Sequence, residues 1–322
     1  MISMIDPNKK DPFVFIGVPV YNGGDFLEEC LESILKQTYS NWECAIIDNQ
    51  SKDETNRIAQ DFVKRDARFK LYLNDEFVDQ TTNWNISFSK TPPEAKYFKI
   101  VCADDWLFPE YLEKMVPLLE KRPDTGFCSS YRLDGERVKC DGLDYYEGNY
   151  FDGRRILIRQ LHNQMDITGS VNTLLYRIET LKKLKYYPRI FLPDVYHIDT
   201  ILAFDLLNIS NVAFVYQVLS YTRRHNETYT SLISNRFKTS FYLLEMEIRK
   251  FLEIDPGLQE LHQKIRIDYA WFLFLKRLKG DKKCIAWHQK YSQAGLRFSE
   301  YLTAILTRNV FARQIRKIYR KT

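Results

Sequence analysis

The sequence predicts an α/β protein: a mainly parallel twisted sheet flanked by helices, with an all-helical C-terminal extension. Three observations carry that reading. Through residues 13–130, apolar runs of strand length alternate with amphipathic stretches of helical period. Three of the strand-like runs lead into carboxylates and amides. From residue 235 onward only the helical period remains.

Residues 13–18 (FVFIGV) read as a buried strand. Residues 25–38 place Phe26, Leu27, Cys30, Leu31, Ile34 and Leu35 on one helical face. A strand over 43–47 ends at Asp48, and a helix follows over 53–65. A strand at 69–73 and a helix at 81–89 precede the strand 97–102, which runs into Asp104-Asp105. The next helix, 109–121, carries Pro109 in its first turn, and 126–130 is a further strand. Strand and helix in strict alternation argue parallel pairing, with helices on both faces.

Residues 132–151 are polar, with Gly135, Gly142 and Gly148, and read as a hairpin or loop over the sheet. A helix near 152–161, a strand near 170–176, a helix at 199–207 and short strands at 212–215 and 218–221 complete this part. Helical stretches follow at 237–252, 258–279 and 284–320, with a break at Pro256-Gly257. The expected domains are residues 1–232, divided at 130 into two halves, and a helical region 233–322.

At 322 residues, 45% hydrophobic and 28% charged, the composition excludes low-complexity and collagen-like chains. No apolar run approaches the ~18 residues of a membrane-spanning helix. Residues 1–12 hold Asp6 and Asp11 and no apolar run, so an export signal is not expected. Six cysteines without C-x-x-C spacing read as reduced, mostly buried thiols of a cytoplasmic protein. The net charge of +5 hides an asymmetry: the last 22 residues hold six basic residues and no acids. The near-neutral remainder argues against a nucleic-acid partner.

In open α/β sheets, ligands bind at the carboxyl ends of the strands. There this sequence places Pro19-Val20-Tyr21-Asn22, Asp48-Asn49 and Asp104-Asp105. Neither G-x-x-x-x-G-K-[ST] nor G-x-G-x-x-G occurs, so a bound pyrophosphate would need a divalent cation on a carboxylate. Taken alone, Asp104-Asp105 equally fits a helix cap before Pro109.

PVYN at 19–22, LKQTY at 35–39, WECAIIDNQSKDET at 42–55 and ADDWLFPEYLEKM at 103–115 resemble the inverting family-2 glycosyltransferases of GT-A fold, of the bacterial surface-polysaccharide type. The resemblance is strong over 13–130, weaker over 165–226 and absent beyond about 235. It implies a transferase that moves a sugar from a nucleotide-diphosphate donor, a UDP-sugar favoured, to a saccharide or lipid-linked acceptor, with Mn²⁺ or Mg²⁺.

By position, the resemblance implies that Pro19 and Tyr21 line the base and that Asp48 and Asn49 sit at its edge. The family more often has a second aspartate where this chain has Asn49. Asp104 would contact the ribose or share the metal, and Asp105 would hold it. Many members carry a further Asp where this chain has Cys102. Asp199 matches the general base at the opening of a helix, with Asp194 the alternative base and an N-cap the structural reading. His225 is implied as a metal or diphosphate contact, and Arg223 or Arg224 as a phosphate clamp. Asn83 and Asn85 either reach the donor sugar or brace the first loop, or else they cap a helix around a buried Trp84. Trp106 is either a sugar platform or core.

The aromatic stripe Tyr269, Trp271, Phe272 and Phe274 reads as core or a homodimer interface. The basic helix over 301–321 reads as a membrane-surface contact at the inner face, or as a helix packed on the body. Two other readings stand beside the transferase. A nucleotidyltransferase would want a basic Gly-rich first loop, which PVYNGGD lacks. A sugar-nucleotide-binding scaffold without turnover would tolerate Cys102 and Asn49.

Overall fold

A computed structural model describes residues 11–140, 143, 148–162, 166–168, 170–191, 197–224, 247–291 and 295–308. Asp194, His225 and the basic residues at 313, 316, 317, 320 and 321 lie outside the described residues. The chain forms two compact units, one of residues 1–193 and 197–224, the other of 194–196 and 225–322.

The first unit is built on one sheet. Strand β1 (Val14–Val20) is buried along its whole length, and β2 (Trp42–Asp48) nearly so. That follows from helices covering both faces. Next come β3 (Phe69–Leu73), β4 (Tyr97–Ile100) and β5 (Trp106–Leu107). β6 (Thr125–Asp134), β7 (Arg137–Lys139), β8 (Tyr150–Phe151), β9 (Leu175–Arg177) and β10 (Asn211–Thr222) complete the sheet. The order is β3-β2-β1-β4-β9-β6-β10-β5, with β7 on β6 and β8 on β10. Pairs β3–β2, β2–β1, β1–β4 and β6–β10 are parallel.

Helix α1 (Leu27–Leu35) buries Leu27, Cys30, Leu31 and Ile34, the face its periodicity predicts. α2 (Thr55–Arg65) buries Ile58, Ala59 and Phe62. α3 (Gln80–Ser89) is capped by Asp79, whose carboxylate accepts the Thr82 N–H at 3.0 Å. It lies so close to β1 that a Cβ on Gly17 would meet Ser87 Oγ at 2.0 Å. α4 (Tyr111–Lys121), α5 (Gly153–Leu161), α6 (Ile178–Leu181) and α7 (Ile198–Ile209) follow.

Three differences from the sequence reading have physical reasons. β9 stands antiparallel between β4 and β6, so the parallel run is interrupted there. Its buried Arg177 donates to the carbonyls of Leu119 and Thr125, capping the end of α4. The two short strands at 212–215 and 218–221 are one strand, β10, with a register shift around Tyr216 and Gln217. The helical stretch expected over 284–320 is interrupted: helices span Lys282–Tyr291 and Phe298–Arg308, with Gly295 between them.

In the second unit, helix Gly257–Leu278 buries Tyr269, Phe272 and Leu273 against Cys284, with Leu296 and Tyr301 packed alongside. Tyr269 Oη meets His288 Nδ1 at 2.5 Å, and Arg266 pairs with Glu300 at 2.5 and 2.9 Å. Tyr269 and Phe272 of the aromatic stripe are thus core residues. No helix among the described residues is long and apolar enough to cross a membrane.

Candidate active site

The chain runs β1, β2, β3 outward in one direction and then returns to place β4 on the other side of β1. The crevice at such a reversal, at the carboxyl ends of the strands, is where open α/β sheets bind ligands. The loops after β1 and β4 flank it, and the loop after β2 is stitched to the first. Asn22 holds the Lys52 N–H at 2.9 Å, Ser51 Oγ accepts from the Asn22 N–H at 2.8 Å, and Asp53 accepts from the Gly24 N–H at 2.8 Å. Asn22 and Gln50 both adopt positive φ, a conformation asparagine tolerates better than most.

Tyr21 leaves β1 with its ring 48% exposed and meets Phe77, 61% exposed, edge-on at 4.9 Å. Pro19, two residues earlier, is inside the strand. Asp48 ends β2, buried, with Oδ1 accepting the Ser51 N–H at 3.0 Å. Asn49 is turned inward. Its Oδ1 accepts from the Val78 N–H and from Asn74, each at 3.0 Å, while its Nδ2 donates to the Val78 carbonyl at 2.8 Å. This amide shapes the loop that carries Phe77; it is not presented as a base-reading edge. Asn83 also faces inward, taking a hydrogen bond from Asn74 at 2.9 Å. Asn85 exchanges two bonds with the backbone of Phe191, at 2.7 and 3.0 Å. Both side chains therefore brace the scaffold, one of the roles the sequence left open for them.

At the end of β4, the ligand atoms of Cys102, Asp104 and Asp105 all lie within 4.8 Å of one another. Asp105 is buried, with Oδ1 accepting the Arg223 N–H at 2.7 Å and Oδ2 accepting from Asn172 Nδ2. Burial, and then the charge of Asp104, push the Asp105 carboxyl above the usual carboxylate range, against the Arg223 N–H and the charges of Arg132 and Arg223. The Cys102 thiol is likewise pushed up, by burial first and then by Asp105, Asp104 and Asp199. Asp199 sits in the first turn of α7, its Oδ1 accepting from the Thr200 N–H, and its charge reaches this acidic cluster.

The end of β10 closes the site. Arg223 Nε donates to the Asp104 carbonyl at 3.1 Å, and its guanidinium pairs with Glu29. The same guanidinium lies 4.7 Å from the Phe26 ring and 5.1 Å from Trp106. Trp106, half-buried, stacks on Tyr221 at 3.6 Å. Arg224 makes a two-pronged pair with Asp134, at 2.6 and 2.9 Å. In this structure both arginines hold protein carboxylates.

Sequence reasoning missed Phe77, Asn172, Lys99 and Glu29. Phe77 is a lone aromatic in an acidic loop, and Lys99 a charge inside an apolar strand; both were visible signals. Asn172 and Glu29 gave none.

A sheet of this order, with carboxylates gathered after β4 and a strand end folded back on them, defines a GT-A-type glycosyltransferase scaffold. The fold matches the mannosyltransferase PcManGT of Pyrobaculum calidifontis, solved with GDP-Man and Mn²⁺, at TM-score 0.57 and 17% identity over 94% of this chain and 88% of that one. It also matches S. aureus TarS 1–349 in complex with UDP-GlcNAc, at TM-score 0.58 and 14% identity over 91% and 79%. In sequence, the chain is 29% identical over 177 residues to the glycosyltransferase GlyG of Streptococcus pneumoniae, covering 53% of this chain and 56% of GlyG. It is 27% identical over 239 residues to an uncharacterized glycosyltransferase of Rickettsia typhi, over 72% and 70%. The aligned stretch thus spans little more than half of GlyG. The profile of glycosyl transferase family 2 matches residues 15–176, and the chain belongs to that family.

Proposed function

We propose that this chain transfers a sugar, with inversion, from a nucleotide-diphosphate sugar to a saccharide or lipid-linked acceptor in glycan biosynthesis, with a UDP-sugar the favoured donor. The observation that carries the reading is the convergence of Cys102, Asp104 and Asp105 under the end of β10. The donor set suits a hard divalent ion: two carboxylates, with each Asp105 oxygen holding one hydrogen bond and keeping further lone-pair capacity. Asp105 and Asp104 would hold Mn²⁺ or Mg²⁺, and the ion, when bound, supplies charge neutralisation for the departing diphosphate.

The chain's own residues do the rest. Tyr21 offers its face to the base. Asp199 takes the acceptor hydroxyl proton as that oxygen attacks the anomeric carbon, and the bond from that carbon to the diphosphate oxygen breaks. No covalent enzyme intermediate is formed. PcManGT with GDP-Man and Mn²⁺, and TarS with UDP-GlcNAc, support the donor class and the metal. The basic tail is proposed as a surface contact with anionic membrane lipid, tested by vesicle co-sedimentation at low salt.

Thermal shift with UDP, GDP and their sugars, with and without Mn²⁺, tests the site. Saturation a hundredfold above Kd stabilises by about 2.7 kcal/mol. A Mn²⁺-dependent shift with one nucleotide class, lost in Asp105→Asn, supports the reading. No shift with any nucleotide overturns it.

A further inference from the structure

Lys99 is fully buried on β4, yet among the described residues no carboxylate pairs with it. Its Nζ donates to three backbone carbonyls, Val171 at 3.2 Å, Asn172 at 2.5 Å and Leu174 at 3.3 Å, and lies 4.4 Å from the Tyr111 ring. A buried ammonium is costly unless its donors are satisfied. Here three donors are spent on one short turn, the 3-10 segment Val171–Thr173 and Leu174, the residue that ends it. A packing role alone is filled more cheaply by an apolar side chain.

The residue held in the middle of that turn is Asn172, also fully buried. Its amide works in both directions. Oδ1 accepts the Cys102 N–H at 3.0 Å, and Nδ2 donates to Oδ2 of Asp105. The first bond fixes the backbone where the acidic loop leaves β4. The second fixes the carboxylate. Neither an aspartate nor a leucine makes both bonds, because one lacks the donor and the other lacks both groups.

Resting on the metal-dependent reading above, we infer that Asn172 is a positioning residue for Asp105, and that Lys99 sets Asn172 by clamping its turn. Neither touches donor or acceptor. Together they hold one orientation of a carboxylate whose other hydrogen bond, among the described residues, comes from the Arg223 N–H. Partners of this kind, one bond removed from a metal, typically change its affinity about 10- to 100-fold when lost.

The experiment is a Mn²⁺ titration followed by EPR, with UDP present, on wild type, Asp105→Asn, Asn172→Ala, Lys99→Met and Phe62→Leu. Phe62 is buried in α2 and serves as a control for plain destabilisation. Thermal melting and UDP binding in EDTA are measured alongside. The expected result is a loss of Mn²⁺ affinity of about tenfold or more in Asn172→Ala and in Lys99→Met. Metal-free UDP binding stays intact in both, and Phe62→Leu keeps its Mn²⁺ affinity despite a lowered Tm. A Lys99→Met, Asn172→Ala double variant should lose little more than either alone, as residues on one chain of contacts do. If wild type and Asp105→Asn differ but Asn172→Ala and Lys99→Met bind Mn²⁺ within twofold of wild type, the positioning inference is overturned while the metal site stands. If wild type itself binds no Mn²⁺, both fall. Should Lys99→Met not fold, Asn172→Ala carries the same decision alone.

Discussion

The backbone N–H of Arg223 donates to Oδ1 of Asp105 at 2.7 Å, across 118 residues of chain. The last strand of the sheet is therefore tied to the acid at the end of β4 by a backbone bond that substitutions at residue 223 leave in place, proline excepted. The guanidinium does separate work, since it pairs with Glu29 and packs on Phe26 and Trp106. If Arg223 clamps the diphosphate and Asp105 holds the metal as proposed, Arg223→Ala should leave Mn²⁺ affinity within about threefold while raising the donor KM, because the clamp would go and the carboxylate would keep its backbone bond. Glu29→Gln frees the guanidinium; an exposed pair of this kind is worth about 1 kcal/mol or less, so Tm should barely move and donor affinity should hold or improve. Steady-state kinetics with calorimetric Mn²⁺ titration reads both. A collapse of metal binding in Arg223→Ala would contradict the division of labour.

Tyr21 and Phe77 form an exposed aromatic pair. Base stacking on such rings contributes about 1–3 kcal/mol. Tyr21→Ala should therefore weaken UDP binding roughly 5- to 150-fold. Phe77→Ala should weaken it less, since Phe77 meets the Tyr21 ring edge-on. Neither ring is in the core, so Tm without ligand should stay nearly constant. Calorimetry with UDP against ribose 5-phosphate separates stacking from the phosphate contribution.

The strand ends were legible because parallel strands deliver their carboxyl-terminal loops to one edge. Tyr21, Asp48 and Asp104-Asp105 could be placed there from hydrophobic runs alone. What was hidden depends on direction and distance. Whether Asn49, Asn83 and Asn85 face a ligand or the scaffold could not be read from the sequence, because the face of a loop or helix an asparagine occupies is decided by partners such as Val78 and Phe191, far off in sequence. Asn172 reaches Asp105 over 67 residues from a short turn with no periodic signature. Lys99 was visible as a charge in an apolar strand, and its three carbonyl partners explain why the strand tolerates it. β10 read as two strands because Tyr216 and Gln217 interrupt the alternation where the register shifts.

Asn49 offers a direct contrast between reading a base and shaping a loop. Asn49→Asp keeps the shape and the acceptor but deletes the donor to the Val78 carbonyl and sets a charge beside it. Loss of a buried donor of this sort costs about 1–3 kcal/mol. The expected outcome is a lower Tm, a looser 74–78 loop in hydrogen exchange, and an unchanged preference between UDP and GDP. A switch in nucleotide preference would assign Asn49 to the base edge instead.

Asp134 gives the fold an acid sensitivity whose sign is fixed. Its carboxyl is held below the ordinary range, first by the hydrogen bonds from Arg224 and then by the charges of Arg132, Arg224 and Lys139, with burial opposing them. A carboxylate whose folded pKa is depressed contributes stability above its unfolded pKa, and that contribution is lost as the pH falls through the folded value. The pair also anchors the β6–β7 hairpin, where Gly135 turns at a φ of 60° beneath the Arg224 side chain. Wild type should therefore lose Tm more steeply than Asp134→Asn between the ordinary carboxylate range and more acidic pH, the two curves converging at the acid end. Arg224→Ala should remove most of the same difference while leaving the Arg132 guanidinium near Asp134, at 3.8 Å. Parallel Tm–pH curves for wild type and Asp134→Asn would show that the pair contributes nothing to folding.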